Sequence, residues 1–179
     1  MSTYKFLARG ALGPLSGFRW PEPRAGTPGA WVEAVGPLEL CVNGSHLCRV
    51  GDLSHWLHDE LWETEGAGDE LEGIDCLVVR RARLLRRIDA WQDGCGARFA
   101  EACAQHAREL AGRAPADRAA FAEGFLEDAM SAARGGLVAV SAYAAAVAAA
   151  KLVDPADQEA AYRSERAWQS TWIQRVVIG

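Results

Sequence analysis

The stretch "LCVNGSHLCRVGDLSHWLHDELWETE", residues 40–65, decides how the first half of the chain is expected to fold. Asn43-Gly44 stands between two apolar runs, and this dipeptide is typical of a type I′ hairpin turn because both central residues of that turn need positive φ. We therefore expect a hairpin at this point. Such a hairpin would bring Cys41 and Cys48 close to each other across the turn.

The rest of the first half has the pattern of a small β-rich unit, because glycine and proline separate runs that are too short for helices. One exception is "GDLSHWLH", residues 51–58, which predicts a short helix from about Asp52 to Trp56 with Asp52 as its N-cap. The expected strands are Tyr4–Ala8, Trp31–Ala34, Leu38–Val42, His46–Val50, Leu61–Glu65 and Ile74–Arg83.

From Asp89 onward the sequence has helical periodicity. A first apolar stripe recurs at three- and four-residue steps, and it comprises Trp91, Cys95, Phe99, Cys103, His106 and Leu110. Three further helices follow, and the last of them begins at Asp154-Pro155. We therefore predict an α+β fold with two domains: a small β-rich unit with one short helix over residues 1–88, and a C-terminal bundle of about four helices over residues 89–179.

The composition restricts the class of protein and its partners. The chain has 179 residues and a net charge of −5, which argues against the broad basic surface that nucleic acids require. Five cysteines without the spacing of a disulfide scaffold indicate reduced thiols, and no secretory signal is evident, so we expect a bacterial cytoplasmic protein. The apolar run at residues 137–150 is short and mostly alanine, which favours a buried helix over a membrane span.

The cysteines and histidines of residues 40–65 could bind a metal or form a catalytic pair. The potential ligands are Cys41, His46, Cys48, His55 and His58, of which the last two should share one helix face. Their spacing matches no common zinc pattern, and we assign no metal ligands. Catalysis by the Cys48 thiol would need a nearby histidine such as His46 to stabilise the thiolate. Cysteine is also frequently buried for packing alone, so both roles stay open.

An acidic segment and an arginine-rich segment follow each other in the first half. Glu63 and Glu65 should point the same way from one strand, and "RRARLLRR", residues 80–87, comes next. The simpler interpretation is a hairpin in which acidic and basic residues pair across two strands, each pair contributing under about 1 kcal/mol. The alternative is a surface with Arg81 and Arg83 that binds a polyanion or nucleotide beside a catalytic Glu63.

The fourth helix carries Trp168 and Trp172 on one side. Because aromatic residues dominate interface cores, this side is a candidate surface for a partner or a second copy of the chain. The simpler alternative is an internal core position, since amphipathic helices usually bury their apolar stripe.

Three segments in the first half, "YKFLARGALGPLSGFRWP", "GPLELCVNGSHLCRVGDLSHWL" and "ELWETEG…DCLVVRRARLLRRI", together resemble an uncharacterised bacterial and phage-associated family. The matching residues are Cys41, Gly44, His46, Cys48, Trp56 and Glu63, and the resemblance covers the first half only. The order of elements is also similar to that of ADP-ribosyltransferase-like folds. That similarity implies that Glu63 would orient the nicotinamide ribose of NAD, and that His46 or Arg9 would contact the cofactor.

The function expected from these patterns is a cytoplasmic binding or interaction module for a small molecule or a protein partner. It would have no membrane contact and would self-associate through its helices as a homodimer. The alternatives are a small enzyme with an ADP-ribosyltransferase-like NAD site and a metal-stabilised domain, and the sequence specifies no cofactor. The candidate residues are Glu63, His46 and Cys48 for catalysis, Arg9, Cys41, His55, Arg81 and Arg83 for ligand binding, and Trp168 and Trp172 for the interface.

Overall fold

The structure is a computed structural model that describes residues 2–92 and 94–179. The chain divides into two compact units, an N-terminal unit that ends at Gln92 and a helical unit that extends to Val177. The first contains an antiparallel sheet of five strands and the second contains four helices, which confirms the predicted α+β fold. A short 3₁₀-helix, Asp89–Trp91, belongs to the N-terminal unit, so Trp91 lies outside the first long helix.

The five strands pair in the order β1-β4-β5-β2, and β3 also pairs with β5. Cys48, directly after β3, exchanges backbone hydrogen bonds with Tyr4 of β1, at 2.7 and 2.9 Å. The pairings β1–β4, β4–β5, β5–β3 and β3–β1 therefore form a ring. The strands are β1 Thr3–Leu7, β2 Val32–Glu33, β3 Ser45–Leu47, β4 Glu60–Glu72 and β5 Leu77–Arg87.

One core cluster of the N-terminal unit lies on the inward face of this ring, while the opposite face also carries buried residues such as Phe6, Leu61 and Val78. Alternation along each strand places every second side chain on this face. The buried residues of the cluster are Leu7, Ala11, Trp20, Leu47, Trp62, Val79, Ala82 and Leu84.

The predicted hairpin at Asn43-Gly44 is wrong. Residues 38–42 form no strand, because Glu39 and Asn43 close a tight turn through two backbone hydrogen bonds of 2.9 and 3.0 Å. The Asn43 side-chain amide donates back to the carbonyls of Val35 and Pro37, which ties the turn to the segment before it. The residues after the turn pair with β5 instead, so Cys48 lies opposite Tyr4 rather than opposite Cys41.

The short helix after β3 is a 3₁₀-helix, Val50–His55, and it begins earlier than predicted. Arg49 is its N-cap, and Asp52 is the third helical residue rather than the cap. The Asp52 carboxylate accepts hydrogen bonds from the backbone N–H of Arg49 at 3.2 Å and from Arg49 Nε at 2.7 Å. Because the helix ends at His55, His58 does not share a helix face with it.

The helical unit contains α1 Cys95–Ala111, α2 Ala116–Arg134, α3 Val138–Lys151 and α4 Gln158–Ile173, followed by a π-helical turn, Gln174–Ile178. The alanine-rich α3 packs against each of the other three helices, since its small side chains allow close approach. The Ser141 hydroxyl, buried in α3, contacts the carbonyls of Ala129 and Ala100 at 2.9 and 3.1 Å. No helix among the described residues is long and apolar enough to cross a membrane.

Candidate functional site

The imidazole of His46 is held by two backbone groups of its own turn. Its Nε2 accepts a hydrogen bond of 2.9 Å from the backbone N–H of Cys41, and its Nδ1 lies 3.2 Å from the carbonyl oxygen of Gly44. A carbonyl can only accept, so Nδ1 carries the proton and the ring is neutral. Burial, aided by the charge of Lys5, lowers the pKa of His46 and favours this neutral form. His46 therefore closes the turn of residues 41–46.

The thiol of Cys48 is buried. Burial raises its pKa to about 12, although the ammonium group of Lys5 acts in the opposite direction. A thiol with this pKa is protonated at neutral pH and is a poor nucleophile. Cys41, in contrast, is exposed, and its backbone lies in the left-handed region at φ 63°.

Lys5 was not singled out from the sequence, yet it points to the same inward face as Leu7. Its Nζ donates to the carbonyl of His46 at 2.5 Å and lies 5.0 Å from the centroid of the Trp20 ring. Burial lowers the pKa of Lys5 to about 8. The alternation of "TYKFL" was the available signal, because residues 5 and 7 of a strand share a face.

The acidic and basic strands pair as the simpler interpretation predicted. Glu63 lies opposite Arg86 in the register of β4 and β5, with 2.6 Å between Oε2 and Nε. Glu65 lies opposite Arg83, with 2.7 Å between Oε2 and Nη2. The carboxylate of Glu63 is thus bound in an ion pair.

One carboxylate of β4, that of Glu60, is bound entirely by groups of the fold itself. The sequence pattern did not indicate this residue. It is buried and accepts hydrogen bonds from the backbone N–H groups of Gly10 and Ala11 at 2.9 and 3.0 Å, and from Trp62 Nε1 at 3.1 Å. The neighbouring Arg9 is exposed, and its backbone N–H donates to Asp59 at 3.1 Å.

The other predicted ligand-binding residues do not converge on one point. The guanidinium groups of Arg81 and Arg83 both lie over the ring of Trp31, at 4.8 and 4.5 Å from its centroid. His55 Nδ1 is 3.8 Å from an Asp75 carboxylate oxygen, after the turn that ends β4. Among the described residues, no three or more His, Cys, Asp or Glu side chains lie close enough together to hold a metal ion.

A cavity of about 650 Å³ lies along β4, and we call it the β4 cavity. It is bounded by β4 from Glu63 to Glu72, by Ser2 and Thr3 at the start of β1, by Arg49, and by β5 residues Leu77, Val79 and Leu85. Of the predicted site residues, only Glu63 lines it. The sequence did indicate acidic residues after Glu65, but the predicted strand ended there, whereas β4 continues to Glu72.

The start of β1 forms one end of the β4 cavity. The hydroxyl of Thr3 lies 2.9 Å from the hydroxyl of Thr64 and donates to the Thr64 carbonyl at 3.1 Å. The register of β1 with β4 ends at this pair. Beyond it, a bulge sets Gly68 and Asp69 against Arg80, and Gly68 takes φ 83°, a conformation that favours glycine.

In the helical unit, the two predicted interface tryptophans contact α1. The Trp168 ring stacks on His106, with 3.9 Å between ring centroids and an interplanar angle of 9°. The ring centroids of Trp172 and Phe99 lie 5.3 Å apart. Both tryptophans are half-buried. Nδ1 of His106 also lies 2.7 Å from the buried carboxylate of Glu165, a pair that the sequence analysis did not identify.

No protein-family model, curated protein or solved structure matches this chain.

Proposed function

We propose that the chain is a binding module whose ligand site is the β4 cavity of the N-terminal unit. The observation that carries the proposal is the cavity itself, whose volume of about 650 Å³ is within the range of small-molecule sites. Its lining combines hydroxyl groups of Ser2 and Thr3, carboxylates of β4 and the apolar side chains of Leu77 and Val79. Such a lining offers apolar contact together with a few orienting polar groups.

The surroundings of the predicted catalytic residues support binding over catalysis. Both ring nitrogens of His46 have backbone neighbours, and the thiol of Cys48 is buried and protonated. Glu63 is in an ion pair with Arg86. A general base or nucleophile has to reach its substrate, and these groups are occupied within the fold.

The proposal can be tested by screening a fragment library against the ¹⁵N-labelled protein by NMR. Bound fragments should shift the amide signals of Thr3, Thr64 and Gly66. Ser2→Trp should fill the cavity mouth and weaken that binding, whereas Ser164→Trp, on an exposed position of α4, should not. Fragments that bind only elsewhere, or that ignore Ser2→Trp, would contradict the proposal.

The alternative of an NAD-using enzyme has a separate test. A ligand at one hundred times its dissociation constant stabilises a protein by about 2.7 kcal/mol, which is visible as a higher melting temperature. We expect no shift with NAD. A shift that Glu63→Gln abolishes would favour the ADP-ribosyltransferase-like alternative instead.

The resemblance of the first half to a bacterial and phage-associated family stays a prediction, as does the cytoplasmic location.

We also propose that the chain self-associates through a face of the helical unit formed by α2 and α3. Four large apolar side chains, Phe121, Leu137, Val140 and Tyr143, are between 51% and 64% exposed. The last three also line a groove of about 350 Å³. Exposed apolar surface of this kind is typical of interaction sites. This face replaces the Trp168 and Trp172 side as the candidate interface.

The occupant we propose for the groove is a second copy of the chain. A twofold contact sets each residue near its own copy, so a face with few charges suits it. Of the described residues that line the groove, Asp128 alone is charged. Sedimentation should therefore detect a dimer, and Val140→Glu should shift it to monomer. Val42→Glu, the same change at a still more exposed valine of the N-terminal unit, should not. A wild-type chain that is monomeric at all concentrations would exclude the dimer.

A further inference from the structure

The edge of β4 that pairs with β1 has no strand partner beyond Thr64 among the described residues. β1 pairs with β4 only as far as Thr64, although β4 continues to Glu72. Among the residues that the structure describes, no strand pairs with the side of Gly66–Glu72 that faces away from β5. The backbone N–H and C=O groups on that side are therefore available to a further strand.

The β4 cavity lies against this same edge. Gly66, Ala67, Gly68, Glu70 and Glu72 all line it. The edge and the cavity together provide backbone hydrogen-bonding groups and room for side chains, which are the two requirements for binding an extended peptide by strand addition.

The charge of the lining selects the kind of peptide. The lining contains four glutamates, Glu63, Glu65, Glu70 and Glu72, and one arginine, Arg49. The first two are paired with arginines of β5, and Glu72 is paired with Arg49. Within the described part of the chain, Glu70 has no ion pair, so the edge keeps a negative charge.

The register of β4 also gives the spacing of the charges that a partner should carry. Glu70 lies opposite Val79 and Glu72 lies opposite Leu77, so both carboxylates are on one face of the sheet. A strand added along this edge would present every second side chain to that face. A second copy of the same edge would set carboxylates against carboxylates, which is unfavourable.

We propose that the open edge of β4, Gly66–Glu72, binds an extended basic peptide as an additional strand. This inference rests on the proposed binding function. The alternate side chains of this peptide are Lys or Arg and face Glu70 and Glu72. The peptide's main chain pairs with β4, and its charges determine which sequences bind.

The probe is a fluorescein-labelled heptapeptide, Lys-Thr-Lys-Val-Lys-Thr-Lys, followed by fluorescence anisotropy. A peptide with Glu at the four Lys positions should not bind. A third peptide keeps all four lysines but has N-methyl groups on alternate backbone nitrogens, which removes donors that strand pairing requires. This third peptide should bind at least about tenfold more weakly, since several main-chain hydrogen bonds are lost.

Two protein variants separate the edge from general acidity. The double change Glu70→Gln and Glu72→Gln should weaken the lysine peptide by roughly tenfold, because it removes the unpaired carboxylate of Glu70 and the Arg49-bound carboxylate of Glu72 that the lysines face. The matched change Glu123→Gln and Glu127→Gln, on exposed positions of α2, removes the same charge and should leave binding unchanged.

Equal binding of the N-methylated peptide, or equal loss in the two double variants, would overturn the strand-addition proposal. The absence of any peptide binding would overturn it as well. If fragments still bind the cavity in a way that Ser2→Trp weakens, the proposed binding function stands while this assignment of the partner fails.

Discussion

Nδ1 of His106 in α1 lies 2.7 Å from Oε2 of Glu165 in α4, and the carboxylate is almost wholly buried. The other carboxylate oxygen accepts from Gln169 Nε2 at 3.2 Å, and the same amide contacts the carbonyl of Ala142 in α3 at 2.9 Å. Arg166 Nη1 donates to Gln169 at 3.0 Å. One polar network thus connects three helices of the helical unit.

This network predicts a dependence of stability on pH. Burial raises the pKa of Glu165, while His106, Gln169 and Arg166 oppose that shift. A carboxyl whose folded-state pKa is raised contributes stability at low pH that is lost as the pH rises through the folded-state value. The free energy of unfolding of the wild type should therefore fall, relative to Glu165→Gln, as the pH rises from about 4. Urea denaturation across pH 4–8 measures this, and parallel profiles would contradict it.

The turn that His46 closes gives a second prediction, with the opposite sign. The pKa of His46 is lowered, mainly by burial, so its contribution is present above the ordinary histidine pKa of about 6.5 and is lost on acidification. His46→Ala should destabilise the N-terminal unit by about 1–2 kcal/mol, because the backbone N–H of Cys41 loses its acceptor.

The measurement is chemical denaturation at pH 7.5, with ¹⁵N NMR of the imidazole as an independent readout. The Nε2 signal should have the shift of an unprotonated nitrogen. His58→Ala, at a partly exposed position that does not hold this turn, serves as the control. A protonated Nε2 would contradict the assigned tautomer.

A pair of glycine substitutions tests the packing of the turn. Gly44 has φ 126°, and a Cβ at this position would lie 2.3 Å from Val78 Cγ1, so Gly44→Ala should cost about 2–4 kcal/mol. Gly124→Ala is the matched control: it lies within α2, and its Cβ would meet no atom within 4 Å. That change should stabilise the helical unit by up to about 1 kcal/mol. Thermal unfolding of both variants measures these changes in stability. A Gly44→Ala variant that is as stable as the wild type would contradict this packing.

Lys5 supplies a fourth prediction. Because burial lowers its pKa to about 8, the unfolded chain binds its proton more tightly than the folded one, and stability falls as the pH drops from about 10.4 towards 8. Lys5→Met should remove this loss. The stability of this variant relative to the wild type should therefore increase as the pH drops from about 10.4 towards 8. Lys151→Met is the control for general charge effects. An NMR titration of the reductively methylated lysines should find one midpoint near 8; a midpoint near 10 for Lys5 would contradict the buried position.

The local elements could be predicted where one segment is enough to specify them. The four helices follow from apolar periodicity, and the helix start predicted at Asp154-Pro155 is a 3₁₀ turn, Pro155–Asp157, that leads into α4. The acidic and basic strands of residues 60–87 pair as their order along the chain indicates. These features depend on near neighbours, whose spacing is visible in the sequence.

The roles of the cysteine and histidine residues in the segment 41–48 could not be predicted from near neighbours. Cys41, His46 and Cys48 look like a ligand set because they are close in sequence, but their roles depend on partners far along the chain. Cys48 is buried because it pairs with Tyr4, and its thiol pKa follows from that burial. The predicted hairpin failed because pairing of β3 with β5 competes with pairing to residues 38–42.

By itself the sequence determined the α+β class, the four helices and the charge pairing of the long hairpin, since each follows from periodicity or from adjacent segments. The tertiary structure alone decided where the candidate site lies. The β4 cavity lies where the register of β1 with β4 ends, at Thr3 and Thr64, while β4 runs on to Glu72, and pairing between strands so distant along the chain is set by the assembled fold. Burial is likewise a property of the assembled fold, which is why the pKa values of Lys5, Cys48 and Glu165 could not be derived from the sequence.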